Sequence, residues 1–175
     1  MAQDRIDSFS LYWVNYFAQS GRALLYPIYK GTYERRPKTP LQGPLAWRDQ
    51  TFQWCKDLGR SLDYLQTRAD IDRTKLAFHG MSMGSSAALP CLAVEDRFAA
   101  AILLEGGLSA VESPPESDPF NFAPRIRAPT LMINGKDDSI YPVEQLQRLL
   151  FRLLGAAPED KGHVLFEGGC RAIFS

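Results

Sequence analysis

No run of apolar residues in the chain approaches the roughly 20 needed to cross a bilayer. The first ten residues, MAQDRIDSFS, are too polar for a secretion signal. Excess charge is also missing: 20 Lys and Arg balance 20 Asp and Glu, and no basic run occurs. That argues against nucleic acid and against an anionic membrane surface as partners. Cysteine is scarce. Cys55, Cys91 and Cys170 are far apart, and no C-x-x-C or Cys/His cluster suggests zinc, so no metal is expected. An odd count without a secretion signal fits a reducing compartment, and a cytoplasmic location is expected. Histidine is scarcer still, with only His79 and His163. No cofactor motif, internal repeat or linker is present. What remains is an ordinary globular composition over 175 residues, read as a single domain, 1–175.

The informative stretch is Lys75 to Ala88, KLAFHGMSMGSSAA. It contains Gly80-Met81-Ser82-Met83-Gly84, a G-x-S-x-G pentapeptide. Alone the pattern is weak, but its context strengthens it. Leu76-Ala77-Phe78 reads as a short buried strand, and Met83 to Leu92 as a helix of small and apolar residues. Strand, tight turn, Ser, helix is the layout of a nucleophile elbow. Such a turn strains the Ser backbone and leaves room only for Gly two residues before and after it. Ser82 is therefore the candidate nucleophile, and the N–H of Met83 a candidate oxyanion donor.

The rest of the chain alternates strands and helices. Ile6 to Ser20 has helical spacing, with Ile6, Phe9, Trp13 and Phe17 on one face and Gly21 as a plausible C-cap. Ala23 to Tyr29 is a strand candidate, weakened by Pro27. Gly31 to Gly43 is a polar loop. Pro44 to Arg68 is the longest helix, with Phe52, Cys55, Leu58, Leu62 and Leu65 in one stripe. Ala99 to Glu105 is a continuous apolar strand. Gly106 to Ala128 has no periodicity and reads as a lid or specificity loop. Thr130 to Asn134 is a strand, Val143 to Leu154 a helix with Leu146, Leu149, Leu150 and Leu153 on one face, and His163 to Phe166 a last strand. The alternation predicts an α/β fold: a mostly parallel sheet of about five strands, helices on both faces, and ligands at the carboxyl ends of the strands.

A Ser nucleophile needs a base, and the base needs a carboxylate to orient it. Asp137 and Asp138 follow the TLMINGK strand, where such groups gather. Glu105 ends the strand before. His79 lies within the strand preceding the turn and reads as a packed or hydrogen-bonded strand residue. His163 follows the acid in sequence but starts its strand. A strand of about six residues rises ~20 Å, so its two ends are not interchangeable. His163 is thus only a weak candidate for the base.

With these residues in view, the chain resembles the α/β-hydrolases of the dienelactone hydrolase and prolyl-oligopeptidase-like kind. It is most similar to the esterase-like domain attached to some bacterial serine/threonine protein kinases. The matching stretches are GRALLYPIYKGTYERR, DLGRSLDYLQTRADIDRTKLAFHGMSMG, PFNFAPRIRAPTLMINGKDDSIYP and FRLLGAAPEDKGHVLFEGG. The resemblance implies acyl transfer from a small ester or peptide-like substrate, without a cofactor. It implies that the acid is the Asp of a G-x-x-D-x-x-x-P pattern, here Gly135, Asp138 and Pro142, which selects Asp138 over Asp137. It places the catalytic His directly after the Gly-Gly that ends the last strand, where this chain has Cys170. It also implies further strands before the first and a helix after the last, so the sequence reads as a hydrolase fold cut at both ends. Three expectations follow. The activity is doubtful, a non-catalytic remnant or binding module is the alternative, and a second copy of the chain could cover an open sheet edge.

Overall fold

The structure is a computed structural model that describes residues 14–169. The chain forms two compact units, Met1–Thr67 and Arg68–Ser175.

In the first unit, α1 spans Asn15–Gln19. It is the described end of the helix predicted over Ile6 to Ser20; Ile6, Phe9 and Trp13 lie outside the described residues. Gly21 adopts a φ of 76° and its N–H bonds Ala18 O, while Arg22 N–H bonds Phe17 O. This is the glycine stop that the sequence suggests. Residues 23–29, predicted as a strand, form none. A strand exists only with a ladder partner, and here Leu24, Leu25 and Tyr26 are exposed instead. The long helix is α2, Ala46–Thr67. Its buried residues are Thr51, Leu58 and Leu62. Phe52, predicted on the buried stripe, is exposed under the Arg48 guanidinium. Thr51 takes its place because its hydroxyl donates to Trp47 O at 2.9 Å, which removes the cost of burying it.

Among the described residues the second unit holds four strands, all parallel and in sequence order: β1 Ala77–Met81, β2 Ala100–Leu104, β3 Thr130–Gly135 and β4 Lys161–Phe166. The predicted fifth strand is the one missing from 23–29. Leu103, Met132, Leu89, Ile126 and Leu150 are fully buried and form the core. The helix predicted over Met83 to Leu92 is two pieces, α3 Met83–Ala87 and α4 Leu89–Val94. Pro90 sits in the first turn of α4, where its missing N–H costs nothing. The predicted loop 106–128 is partly ordered, with α5 at Pro119–Phe122 and a 3₁₀ turn at Ala123–Arg125. Ala123 and Ile126 are fully buried, so this half of the loop belongs to the core. The predicted helix from Val143 is a π-helical turn, Val143–Gln147, followed by α6, Arg148–Leu153. Its buried positions are Gln147, Leu150 and Leu154. In this unit α4 packs on α5 and the 123–125 turn, and α6 packs on that turn and on β4. Cys91 on α4 is buried and disulfide-bonded, which does not fit a reading of the cysteines as reduced thiols.

Candidate active site

The site is built at the carboxyl ends of β1, β2 and β3. Met81 pairs with Leu104, and Leu104 with Ile133, so β1 and β2 end level while β3 runs two residues further, to Gly135. Ser82 follows β1 at once. It has φ 52° and ψ −118°, a region that non-glycine residues enter only when the surroundings force them. Those surroundings are specific. Ser82 N–H donates to Leu104 O at 2.8 Å, which ties the turn to β2. Ser82 O accepts from Ser85 N and Ser86 N, which starts α3. The buried Ser85 hydroxyl lies 2.8 Å from both Gly80 O and Leu104 O, and its single proton is shared between them. A Cβ on Gly80 would lie 2.7 Å from Gly84 O, so residue 80 has to be Gly. Gly84 is different: a Cβ there would meet nothing within 4 Å. The steric reason read from the sequence holds before the Ser and not after it. Met83 is 60% exposed, and its N–H stands in the first turn of α3, where it has no intrahelical partner.

Glu105 occupies the position beside Ser82, one residue past the end of β2. It is 2% exposed and also has a positive φ, 48°. Two adjacent strands thus end in strained, non-glycine residues, and no motif marks the second. The turn after Glu105 is clamped from both sides. Ser86 Oγ donates to Gly107 O at 2.6 Å, and Asn134 Nδ2 donates to Gly106 O at 2.8 Å.

Asp138 lies beyond β3 and is 3% exposed, whereas Asp137 is exposed. Asp138 Oδ1 accepts from Ile140 N at 2.8 Å and Tyr141 N at 3.0 Å. Its Oδ2 is buried and has no hydrogen-bond partner among the described residues. The loop around it is held by Gln147, whose Nε2 donates to Tyr141 O at 2.6 Å. It is also held by the end of β4. Lys136 N donates to Phe166 O and Asp137 N to Gly168 O at 2.8 and 2.9 Å, which draws Gly169 against Asp137. Gly135 has to be Gly for the same reason, since a Cβ would stand 2.6 Å from Gly168 O. The next residue, Cys170, lies outside the described residues.

Neither histidine joins Ser82. His163 pairs with Met132 midway along β4, and its Nε2 lies 3.1 Å from Asn134 Oδ1. Because Asn134 spends its amide on Gly106 O, Oδ1 is the acceptor and His163 Nε2 carries the proton. The weak candidacy of His163 as base is not met: its ring is committed to Asn134. His79 is half-buried in β1, and burial pushes its pKa down to about 4, so it is neutral at pH 7. Among the described residues no group of His, Cys, Asp and Glu is arranged to hold a metal ion. No described helix is long and apolar enough to cross a membrane.

The model of the dienelactone hydrolase family matches residues 13–160. Among solved structures, a cold-adapted esterase from an Arctic intertidal metagenomic library is 25% identical, with a TM-score of 0.59 over 74% of this chain and 55% of that one. An acetyl xylan esterase from Paenibacillus sp. R4 is 21% identical, with a TM-score of 0.61 over 77% and 54%. A monoacylglycerol lipase from Paleococcus ferrophilus is 15% identical, with a TM-score of 0.63 over 97% and 83%. The last two likenesses speak for the fold alone. The chain spans about half the length of the two esterases. No curated protein matches the chain.

Proposed function

The chain belongs to the dienelactone hydrolase family, and from that premise we propose that it carries the site of a serine acyl hydrolase acting on small esters or peptide-like substrates. Ser82 is the nucleophile of a nucleophile elbow, Asp138 the acid, and Met83 N–H an oxyanion donor. The observation that carries this reading is the shared rim. A backbone-strained Ser and a buried, half-satisfied Asp stand at the same end of one parallel sheet, two strands apart. In the reaction the Ser82 oxygen bonds the acyl carbon as its proton leaves to a base, the carbonyl electrons move onto oxygen, and collapse expels the alcohol or amine. Water then cleaves the acyl-enzyme by the same steps.

The base is the weak point. Cys170 stands where the family resemblance puts a His, and a thiol with an ordinary pKa of about 8.5 is a poor proton acceptor at pH 7. The commitment of His163 to Asn134 favours a second reading, a binding module that keeps the fold without the turnover. Hydrolysis of p-nitrophenyl acetate and labelling by a fluorophosphonate separate the two. Slow labelling of the wild type is expected. In Cys170→His a gain on the order of a hundredfold or more is expected, the usual worth of a positioned base. Both signals should vanish in Ser82→Ala. Equal turnover by Ser82→Ala and its parent, with no labelling, would leave only the binding module.

A further inference from the structure

Within the first unit, a groove of about 320 Å³ is lined by Leu25, Pro27 and Ile28 and by side chains of α2. The apolar wall comes from the segment that forms no strand, and no ladder partner covers it among the described residues. Leu25 is exposed there. The polar wall holds two guanidiniums, Arg35 and Arg60, against a single carboxylate, Asp57.

Those charges are not equally occupied. Asp57 is saturated. Its Oδ2 accepts from Lys30 N at 2.7 Å and lies 2.9 Å from Arg35 Nη1, and its Oδ1 accepts from Arg35 Nη2 at 3.0 Å. Arg35 also donates to Ile28 O at 2.7 Å, so its fork is held by the groove wall itself. Asp57 and Arg35 therefore cancel. Ser61 spends its hydroxyl proton on Asp57 O at 2.8 Å and offers no donor to a ligand. Arg60 is left over. Its side chain is 86% exposed, and among the described residues its charge meets only Asp63, at 3.2 Å. That pair is itself exposed, a kind that contributes little, and Asp63 does not line the groove. The groove thus keeps one positive charge in excess beside an open apolar wall. Its volume lies at the low end of small-molecule sites, roughly 300–1,000 Å³. A stable protein partner would need a face of about 800 Å², so a small molecule suits it better. A neutral apolar ligand would make no use of Arg60, and a cation would be repelled. A carboxylate matches the guanidinium fork in both charge and shape.

We propose that this groove binds a small carboxylate with an apolar body, its anionic end on Arg60 and its body against Leu25, Pro27 and Ile28. The proposal does not depend on Ser82 and stands whether or not the chain turns over esters. A ligand of this size binds weakly, on the order of millimolar. Because Arg60 faces water, added salt should weaken the hold.

The test is a titration of the whole isotope-labelled chain with hexanoate and, separately, with hexanol, followed by nuclear magnetic resonance. Hexanoate should give saturable shifts centred on Leu25, Ile28, Arg60 and Tyr64, and should bind about fivefold more tightly than hexanol or better. Arg60→Gln, checked for folding by circular dichroism, should bring hexanoate down to the level of hexanol. Arg60→Lys, which keeps the charge and loses the fork, should recover part of the difference. Equal binding of the acid and the alcohol by the parent chain overturns the proposal. So does a preference for hexanoate that survives in Arg60→Gln, or a set of shifts that leaves the 25–28 segment and Arg60 untouched.

Discussion

The Ser82 turn and the Asp138 loop stand at the same end of the same sheet, yet each departs from an ordinary minimum in a different way. Around Ser82 the supporting polar groups are paired: Ser85, Ser86, Leu104 O and Gly80 O all have partners, and the departure is in the backbone dihedrals. Around Asp138 no residue has a positive φ from 135 to 142, and the departure is a buried oxygen with no partner among the described residues. Backbone strain costs about 1–3 kcal/mol, and a buried unsatisfied charge costs at least as much. The two turns therefore show two ways of holding a reactive group ready. One fixes the Ser82 hydroxyl, the proposed nucleophile, in place by geometry, and the other leaves a carboxylate oxygen without a donor among the described residues.

The largest effect should come from breaking the geometric side of that contrast. Gly80→Ala puts a Cβ 2.7 Å from Gly84 O and 2.8 Å from the Phe78 ring, and the first of these atoms is backbone. Neither the strand nor α3 can shift without losing the Ser82–Leu104 bond. A loss of about 3 kcal/mol or more is expected, read as a fall in the denaturation midpoint or as failure to express in soluble form. A stable Gly80→Ala protein would mean that the turn is not held as tightly as its hydrogen bonds imply.

The electrostatic side breaks in the opposite direction. Asp138→Asn keeps an acceptor for Ile140 N and Tyr141 N and removes the bare charge. A stability gain of about 1 kcal/mol is expected at pH 7, the pattern seen where function opposes stability. Urea titration checks the sign. A loss of similar size would show that Oδ2 already has a donor in solution, and the contrast between the two turns would disappear.

How much of this was legible follows the same division. Short apolar runs located the four strands and helical periodicity the long helix, because burial is written directly into side-chain order. The G-x-S-x-G pentapeptide in its strand–turn–helix context marked Ser82 as a candidate, and the end of the TLMING strand offered both Asp137 and Asp138, between which only the family resemblance chose. Such signals failed wherever the decision lay with distant groups. Residues 23–29 have strand composition, but composition cannot supply a pairing partner. Thr51 displaced Phe52 from the buried face of α2 through a hydroxyl bond to Trp47 O that no hydropathy pattern reveals. Gln147 is fully buried in a helix read as a leucine face, because its amide holds the Asp138 loop. The strained Glu105 turn depends on Asn134 and Ser86, from 29 and 19 positions away, roughly the distances over which local rules lose their force.

The smallest expected effect is the sharpest check on the geometric half. The pentapeptide has two glycines, and its pattern treats them alike. The structure does not: Gly84 has no positive φ, and a Cβ there would meet nothing within 4 Å. It lies inside α3, where Ala is favoured over Gly by up to about 1 kcal/mol. Gly84→Ala should therefore be neutral or stabilising by roughly 0.5–1 kcal/mol, with Ser82 still reactive toward a fluorophosphonate. Should Gly84→Ala keep its stability but lose labelling, the second glycine would serve the approach of a ligand to Ser82 rather than the turn itself, since the described residues place nothing against it.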